Sequence, residues 1–161
     1  MTDQIEAAFR QAMRRLAATV NIISVTEDDT PKGIAATAVC SVSMDPPSLL
    51  VCVNKSASLH PSLIAADYFS VSVLHKDQIE TAQLFSDNSM RDMRFADANW
   101  QQHPLGPPLL ANAQVGLICQ RSEMLAFATH TIVIGSVVDV AVREDVNPLL
   151  YLNGAFQTAH A

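Results

Sequence analysis

Gly33-Ile34-Ala35-Ala36-Thr37-Ala38-Val39-Cys40-Ser41-Val42-Ser43 is a small, apolar, unbroken run, and Met44-Asp45-Pro46-Pro47 closes it before Ser48-Leu49-Leu50-Val51-Cys52-Val53-Asn54. Both runs predict strands, and the break between them is firm because proline cannot donate to a sheet ladder. Very small side chains at Ala35, Ala36, Thr37 and Ala38 leave the backbone amides and carbonyls open to a flat ligand, or else let the strand pass close to another element. The residues that follow, Asn54-Lys55-Ser56-Ala57-Ser58, offer an amide, an ammonium and two hydroxyls. That set suits an anion such as a phosphate, although an ordinary solvated turn with serine caps has the same composition.

Upstream, Ile5, Ala8, Phe9, Ala12, Met13 and Leu16 recur at helical spacing and predict a helix with one buried stripe, begun by Asp3 and Glu6 at the spacing of a capping box. Thr19 to Thr26 reads as a strand that enters a hairpin at Glu27-Asp28-Asp29-Thr30-Pro31. Downstream, a short helix over Pro61 to Ala66, a strand over Phe69 to Leu74 and a helix over Lys76 to Phe85 are expected. Ser86 to Leu110 is polar and proline-rich, of the kind that often forms a functional loop, with Trp100 expected in a small local core. Strands return over Gln114 to Arg121, Met124 to Ala128, Thr131 to Val142 and Leu149 to Asn153. Seven or so strands with few connections long enough for a parallel crossover imply a mainly β, mostly antiparallel sheet, closed into a barrel that removes its edges.

The chain has 161 residues, 49% of them apolar and 16% charged, which predicts one domain over residues 1–161 with ample material for a core. Its net charge of −6 argues against nucleic acid or an anionic membrane as partner, so a phosphate must be held locally. No apolar run approaches the roughly 18 residues that cross a bilayer, and Met1 to Glu6 does not resemble a signal peptide, so a cytoplasmic location is expected. Cys40, Cys52 and Cys119 form no CxxC pair and read as core thiols. His60, His75, His103 and His160 show no ligand spacing with each other or with the cysteines, so no metal site is expected. The five glycines are isolated, which excludes GxGxxG and P-loop modes of nucleotide binding.

The Gly33–Ser58 run combines with Phe9-Arg10-Gln11-Ala12-Met13 to Val20, with Phe69 to Leu74, Gln78 and Leu84-Phe85-Ser86, and with His130 to Val137 and Pro148-Leu149-Leu150-Tyr151. In this order, over nearly the whole chain, these segments resemble the short-chain flavin reductase family. That family has an FMN-binding split β-barrel, antiparallel and Greek-key-like, and includes the reductase components of two-component flavin-dependent monooxygenases. The resemblance implies a homodimeric enzyme that moves a hydride from NADH or NADPH to FMN or FAD. Reduced flavin then diffuses to a partner monooxygenase, such as a 4-hydroxyphenylacetate-type aromatic hydroxylase. Some members reduce another acceptor, such as a cobalt corrin, and a flavin-binding protein without turnover is the non-enzymatic rival.

Position by position, the resemblance places Ala36, Thr37, Ala38, Val39, Ser41, Val42 and Ser43 beside the isoalloxazine. It places Asn54, Lys55, Ser56 and Ser58 on the ribityl-phosphate arm, Phe85 and Ser86 near the flavin tail, and Tyr151 among the cofactor contacts. His130 matches a histidine at the nicotinamide side and is the expected catalytic residue. Two positions depart from the pattern: Ala35 stands where many relatives have threonine, and Thr129 precedes His130 where an acidic residue is frequent.

Overall fold

The structure is a computed structural model that describes residues 2–159; Met1, His160 and Ala161 lie outside them. Helix α1 (Thr2–Met13) precedes strands β1 (Ala18–Thr19), β2 (Asn21–Glu27), β3 (Thr30–Ala36), β4 (Val39–Met44) and β5 (Pro47–Asn54). Helix α2 (His60–Ala65), strand β6 (Tyr68–Val73) and helix α3 (Ile79–Ser86) follow. Then come β7 (Trp100–Gln102), β8 (Pro108–Leu110), β9 (Val115–Phe127), β10 (His130–Val142), β11 (Leu149–Leu152) and β12 (Ala155–Thr158).

Local chemistry makes the hairpins. Asp28 and Asp29 take φ of 49° and 58°, the left-handed pair of a two-residue turn whose twist matches the flanking strands, and so join β2 to β3. The main sheet is antiparallel in the order β3-β2-β6-β9-β10-β5-β4. Its edges, β3 and β4, are consecutive in the chain. In a flat sheet six spacings of about 4.8 Å would hold them roughly 29 Å apart, yet Ala36 and Val39 are three residues apart and so within about 11 Å. The sheet therefore curls until its edges meet at one corner, a barrel split along the β3/β4 seam. Local hairpins interleave with the long-range pairings β2–β6, β6–β9 and β5–β10, which makes the topology Greek-key-like.

Two cores fill the fold. Inside the barrel lie Ile23, Val25, Val51, Val53, Phe69, Val71 and Val133, sealed by Leu59 and Leu63 at α2. Outside it, Val20, Ile22, Leu74, Phe85, Leu110 and Leu149 pack beneath α3. Since β2 feeds both, it is apolar on both faces.

Several expectations change. The α1 stripe is not buried: Ile5 is 66% exposed and Phe9 60%. Amphipathic spacing shows that a face seeks cover without naming what covers it. The run Gly33 to Ser43 is two strands, because Thr37 and Ala38 carry the chain from one barrel edge to the other. Gln114 to Ala128 is essentially one strand, since the polar Ser122 and Glu123 lie on its exposed half. The connection after Ser86 is built rather than loose. A short 3-10 segment (Asn88–Met93) and the β7–β8 hairpin are fastened to the barrel where Pro108 O accepts from the buried Ser24 and Ser70 hydroxyls at 3.0 and 2.6 Å. Trp100 sits in the expected small aromatic cluster with Phe85 and Phe95, at centroid distances of 5.3 and 4.7 Å. The thiols separate: Cys119 is buried, which pushes its pKa up to about 12, Cys52 is half-buried, and Cys40 is exposed rather than a core residue. No helix among the described residues is long and apolar enough to cross a membrane.

Candidate functional site at the barrel seam

The seam corner is held by backbone bonds. Val39 N donates to Thr37 O at 3.0 Å, and Cys52 N donates to Ala38 O at 3.0 Å. Ala38 therefore lies beside β5, two residues before Asn54 and about 7 Å from it along the strand. The alanine-rich turn and the Asn54–Ser58 bend, far apart as sequence motifs, share one end of the barrel.

A cavity of about 440 Å³ opens outside this corner, lined by Ala35, Ala36, Thr37, Ser86, Tyr151 and Phe156 among others. Small side chains on β3 make the room. Ser86 reaches the cavity because α3 ends there, its hydroxyl turned back onto Ala82 O at 2.7 Å. Tyr151 on β11 is set by the Asn153-Gly154 turn, with φ of 53° and 81°, which folds β12 back so that Phe156 meets the tyrosine ring at 5.6 Å. Ala38 and Tyr151 continue into a neighbouring cavity bounded by Arg10, Met13 and Arg14.

At the bend, Asn54 Oδ1 accepts from Ser56 N at 2.9 Å and from Ser56 Oγ at 2.8 Å, so the asparagine shapes its own turn. Lys55 N donates to Thr129 O at 2.9 Å, and Lys55 Nζ to Ala128 O at 2.7 Å. These bonds tie the bend to the β9–β10 turn. His130 pairs across the ladder with Asn54, and Thr129 Oγ1 lies 2.8 Å from His130 Nδ1. The threonine hydroxyl thus engages the imidazole from the position where an acidic residue is frequent in the resembled family. Asn54, Lys55, Ser56, Ser58 and His130 are all exposed, so their polar groups face solvent or a ligand.

The structure thus gathers Ala36, Thr37, Ala38, Ser86 and Tyr151 at the seam, with Asn54, Lys55, Ser56 and His130 beside it. Val39 starts β4 next to them. Ser58 faces a different cavity, of about 520 Å³. Ser41, Val42 and Ser43 are not brought in: Ser43 pairs with Ser48, six residues from Asn54 and so about 20 Å along β5. A register shift between Ser41 and Ser43 re-aims this end of β4, and Ser43 Oγ is spent on Asp45, donating to its carbonyl and accepting from its N–H at 3.0 Å. Phe85 is 2% exposed and edge-on to Phe95 at 5.1 Å, so its ring lies in the core next to Ser86.

Sequence reasoning missed Phe156 and the cavity wall around Gly154, although Asn153-Gly154 between two apolar runs is a hairpin signal. It also missed Arg94, 2% exposed behind the seam, whose guanidinium donates to Gly33 O at 2.9 Å. No local pattern marks it.

A slot walled by alanines, with a cluster of anion donors about 7 Å away, fits a flat ring system carrying a phosphate arm. The chain is matched over residues 13–160 by the model of the flavin reductase like domain. It is 42% identical over 153 residues to the reductase component of the FADH(2)-dependent resorcinol hydroxylase of Rhizobium sp., covering 94% of this chain and 86% of that one. It is 38% identical over 146 residues to the FMN reductase (NADH) RutF of Pseudomonas syringae, covering 91% and 82%. The NADH:FAD oxidoreductase SgcE6 of Streptomyces globisporus, solved with NAD and FAD fragments, superposes with a TM-score of 0.87 at 30% identity, covering 94% and 91%. Coverage of this extent, joined to the split barrel and the slot beside the donor bend, places the chain in the flavin reductase like domain family.

Proposed function

We propose that this chain is the NAD(P)H-dependent reductase of a two-component system, one domain over residues 1–161 working as a homodimer in the cytoplasm. Reduced FMN or FAD leaves it for a monooxygenase of the aromatic-hydroxylase kind. The observation that carries this reading is the closeness of the Ala36–Ala38 slot to the Asn54–Ser58 bend. When bound, the flavin supplies the redox chemistry, accepting a hydride from the dihydronicotinamide and passing the electrons on.

The protein's part is to bind and to position. Ala36, Thr37 and Ala38 leave room and backbone polar groups for the ring edge, with Tyr151 and Ser86 as the opposite wall. The ammonium of Lys55 and the hydroxyls of Ser56 and Ser58 hold the phosphate by charge-assisted bonds on a chain that is otherwise acidic. His130, with Nδ1 engaged by Thr129, presents Nε2 toward the nicotinamide side and steadies its approach. The uncovered faces of Phe9 and Ile5 on α1 and of Val140 and Val142 on β10 supply the apolar area that a second copy would bury.

The test is a rapid mix of the purified protein with flavin and NADH. Bleaching of the visible flavin band within seconds is expected. A stable yellow mixture over minutes would leave only a flavin binder. Replacing His130 by alanine should raise the KM for NADH more than the Kd for flavin, and sedimentation should give twice the chain mass.

A further inference from the structure

We propose that the turn at the end of α1, Arg14-Arg15, receives the 2′-phosphate of NADPH, so that this chain takes the phosphorylated pyridine nucleotide in preference to NADH. The inference rests on reading the seam as the seat of the flavin ring, because a nicotinamide must lie over that ring to deliver its hydride.

Three cavities run end to end away from the seam. The slot of about 440 Å³ is bounded at one end by Tyr151 and Gly154. A second, of about 460 Å³, shares both residues and adds Arg10, Arg14 and Asn153. A third, of about 290 Å³, shares Arg14 and Asn153 and is completed by Gln11 and Arg15. A dinucleotide with one ring in the slot is thereby led to the α1 turn.

The last cavity has the chemistry of an anion site. All four residues that line it carry N–H donors, and none carries a carboxylate. The chain has ten basic residues against sixteen acidic ones, yet Arg10, Arg14 and Arg15 gather here. Among the described residues no carboxylate lies within salt-bridge distance of any of them. Arg14 Nη2 donates to Asn153 O at 2.9 Å, and Asn153 N donates to Arg14 O at 2.8 Å. Gly154 makes the room for this guanidinium, since a Cβ there would lie 2.7 Å from Arg14 Nη2. These contacts fix the α1 turn against the β11–β12 turn, while the Arg15 side chain is left exposed.

A phosphate monoester carries about −1.5 to −2 charge at pH 7, and a planar guanidinium meets two of its oxygens at once. The free 2′-hydroxyl of NADH offers no such charge. The dipole at a helix C-terminus draws cations too, which accounts for Arg10 in the last turn. It does not account for Arg14 and Arg15, which lie beyond that turn and converge with Gln11 and Asn153 on one space. Gln11 stands about 200° around the helix from Phe9, so a second copy that covers Phe9 meets the opposite face of α1.

The experiment compares wild type with Arg15→Gln. Calorimetry measures binding of 2′,5′-ADP and of ADP, which match in adenosine and in phosphate number but differ in the 2′-phosphate, and steady-state kinetics give the KM for NADPH and for NADH with FMN as acceptor. The wild type is expected to bind 2′,5′-ADP more tightly than ADP and to show a lower KM for NADPH than for NADH. Arg15→Gln should weaken 2′,5′-ADP and raise the KM for NADPH by about tenfold, the scale of one charge-assisted bond, and leave ADP, the KM for NADH and the melting temperature unchanged. A wild type that binds the two nucleotides equally, or whose KM for NADH is the lower, would overturn the proposal. Equal losses for both nucleotides in the variant would also overturn it and assign Arg15 to the 5′-phosphate that both carry. Flavin bleached by NADH with 2′,5′-ADP unaffected by Arg15→Gln would overturn this inference alone, whereas flavin bleached by neither nucleotide would remove the seam reading on which it stands.

Discussion

Replacing Lys55 by alanine separates the phosphate role from the fold. The bend keeps its shape without this side chain: Ser56 still bonds Asn54 Oδ1 through N and Oγ, and residue 55 still donates its amide to Thr129 O. What is lost is the ammonium, whose bond to Ala128 O at 2.7 Å uses one of its three donors. For an exposed side chain, that bond contributes no more than about 0.5–1.5 kcal/mol to stability, a fall in Tm of a few degrees at this chain length. The same ammonium on a phosphate is worth about 1.5–3 kcal/mol, which raises the Kd for FMN roughly 10- to 150-fold. Riboflavin, which has the ring but no phosphate, is the internal control. Fluorescence titration should show weakened FMN and unaltered riboflavin. Equal losses for both would mean that the variant deforms the ring slot, and no loss for FMN would mean that the bend is a solvated turn; either result refutes the reasoning.

Gly33→Ala should destabilise the chain by about 1–3 kcal/mol, because a Cβ there would lie 2.9 Å from Phe95, 3.0 Å from Phe85 and 3.0 Å from the Ile23 carbonyl; an unchanged melting temperature would show that the aromatic pair yields without cost. In a thiol titration of the native protein Cys40 should react at once and Cys119 only after unfolding, since burial keeps it a neutral thiol with a pKa of about 12; three thiols counted at first mixing would contradict this. Arg143 first, then the His75 and Asn147 side chains, hold the Asp145 carboxyl at about 2, below its ordinary 3.8. A lowered folded value gives stability that is present above about pH 4 and is lost as pH falls toward 2. The advantage of the wild type over Asp145→Asn in thermal melts should therefore shrink across that window, and an advantage as large at pH 2 as at pH 6 would rule out the ion pair as its source.

The parts legible in the sequence are those with local causes. Paired aspartates at 28 and 29, the Asp45-Pro46-Pro47 break and the Asn54–Ser58 turn each follow from what a few adjacent residues can do with their own backbone. The Asn153-Gly154 hairpin signal is equally local, but the strand it introduces is only four residues long. Phe85 shows the opposite difficulty. A residue next to a cavity-lining serine has the same local sequence whether its ring faces the cavity or the core, and only the packing of Phe95 and Trp100 around it tells the two apart.

From its residues alone, this chain is committed to a mostly antiparallel β fold with a run of alanines and a lysine–serine bend, since strand propensity, proline and side-chain size act within a few residues. Tertiary structure alone decides that Thr37 and Ala38 close the seam, that Cys52 N fixes them about 7 Å from Asn54, and that Arg94 is buried behind the seam. Those outcomes depend on which distant strands pair, and the pairing is settled by the joint burial of two cores rather than by any segment on its own.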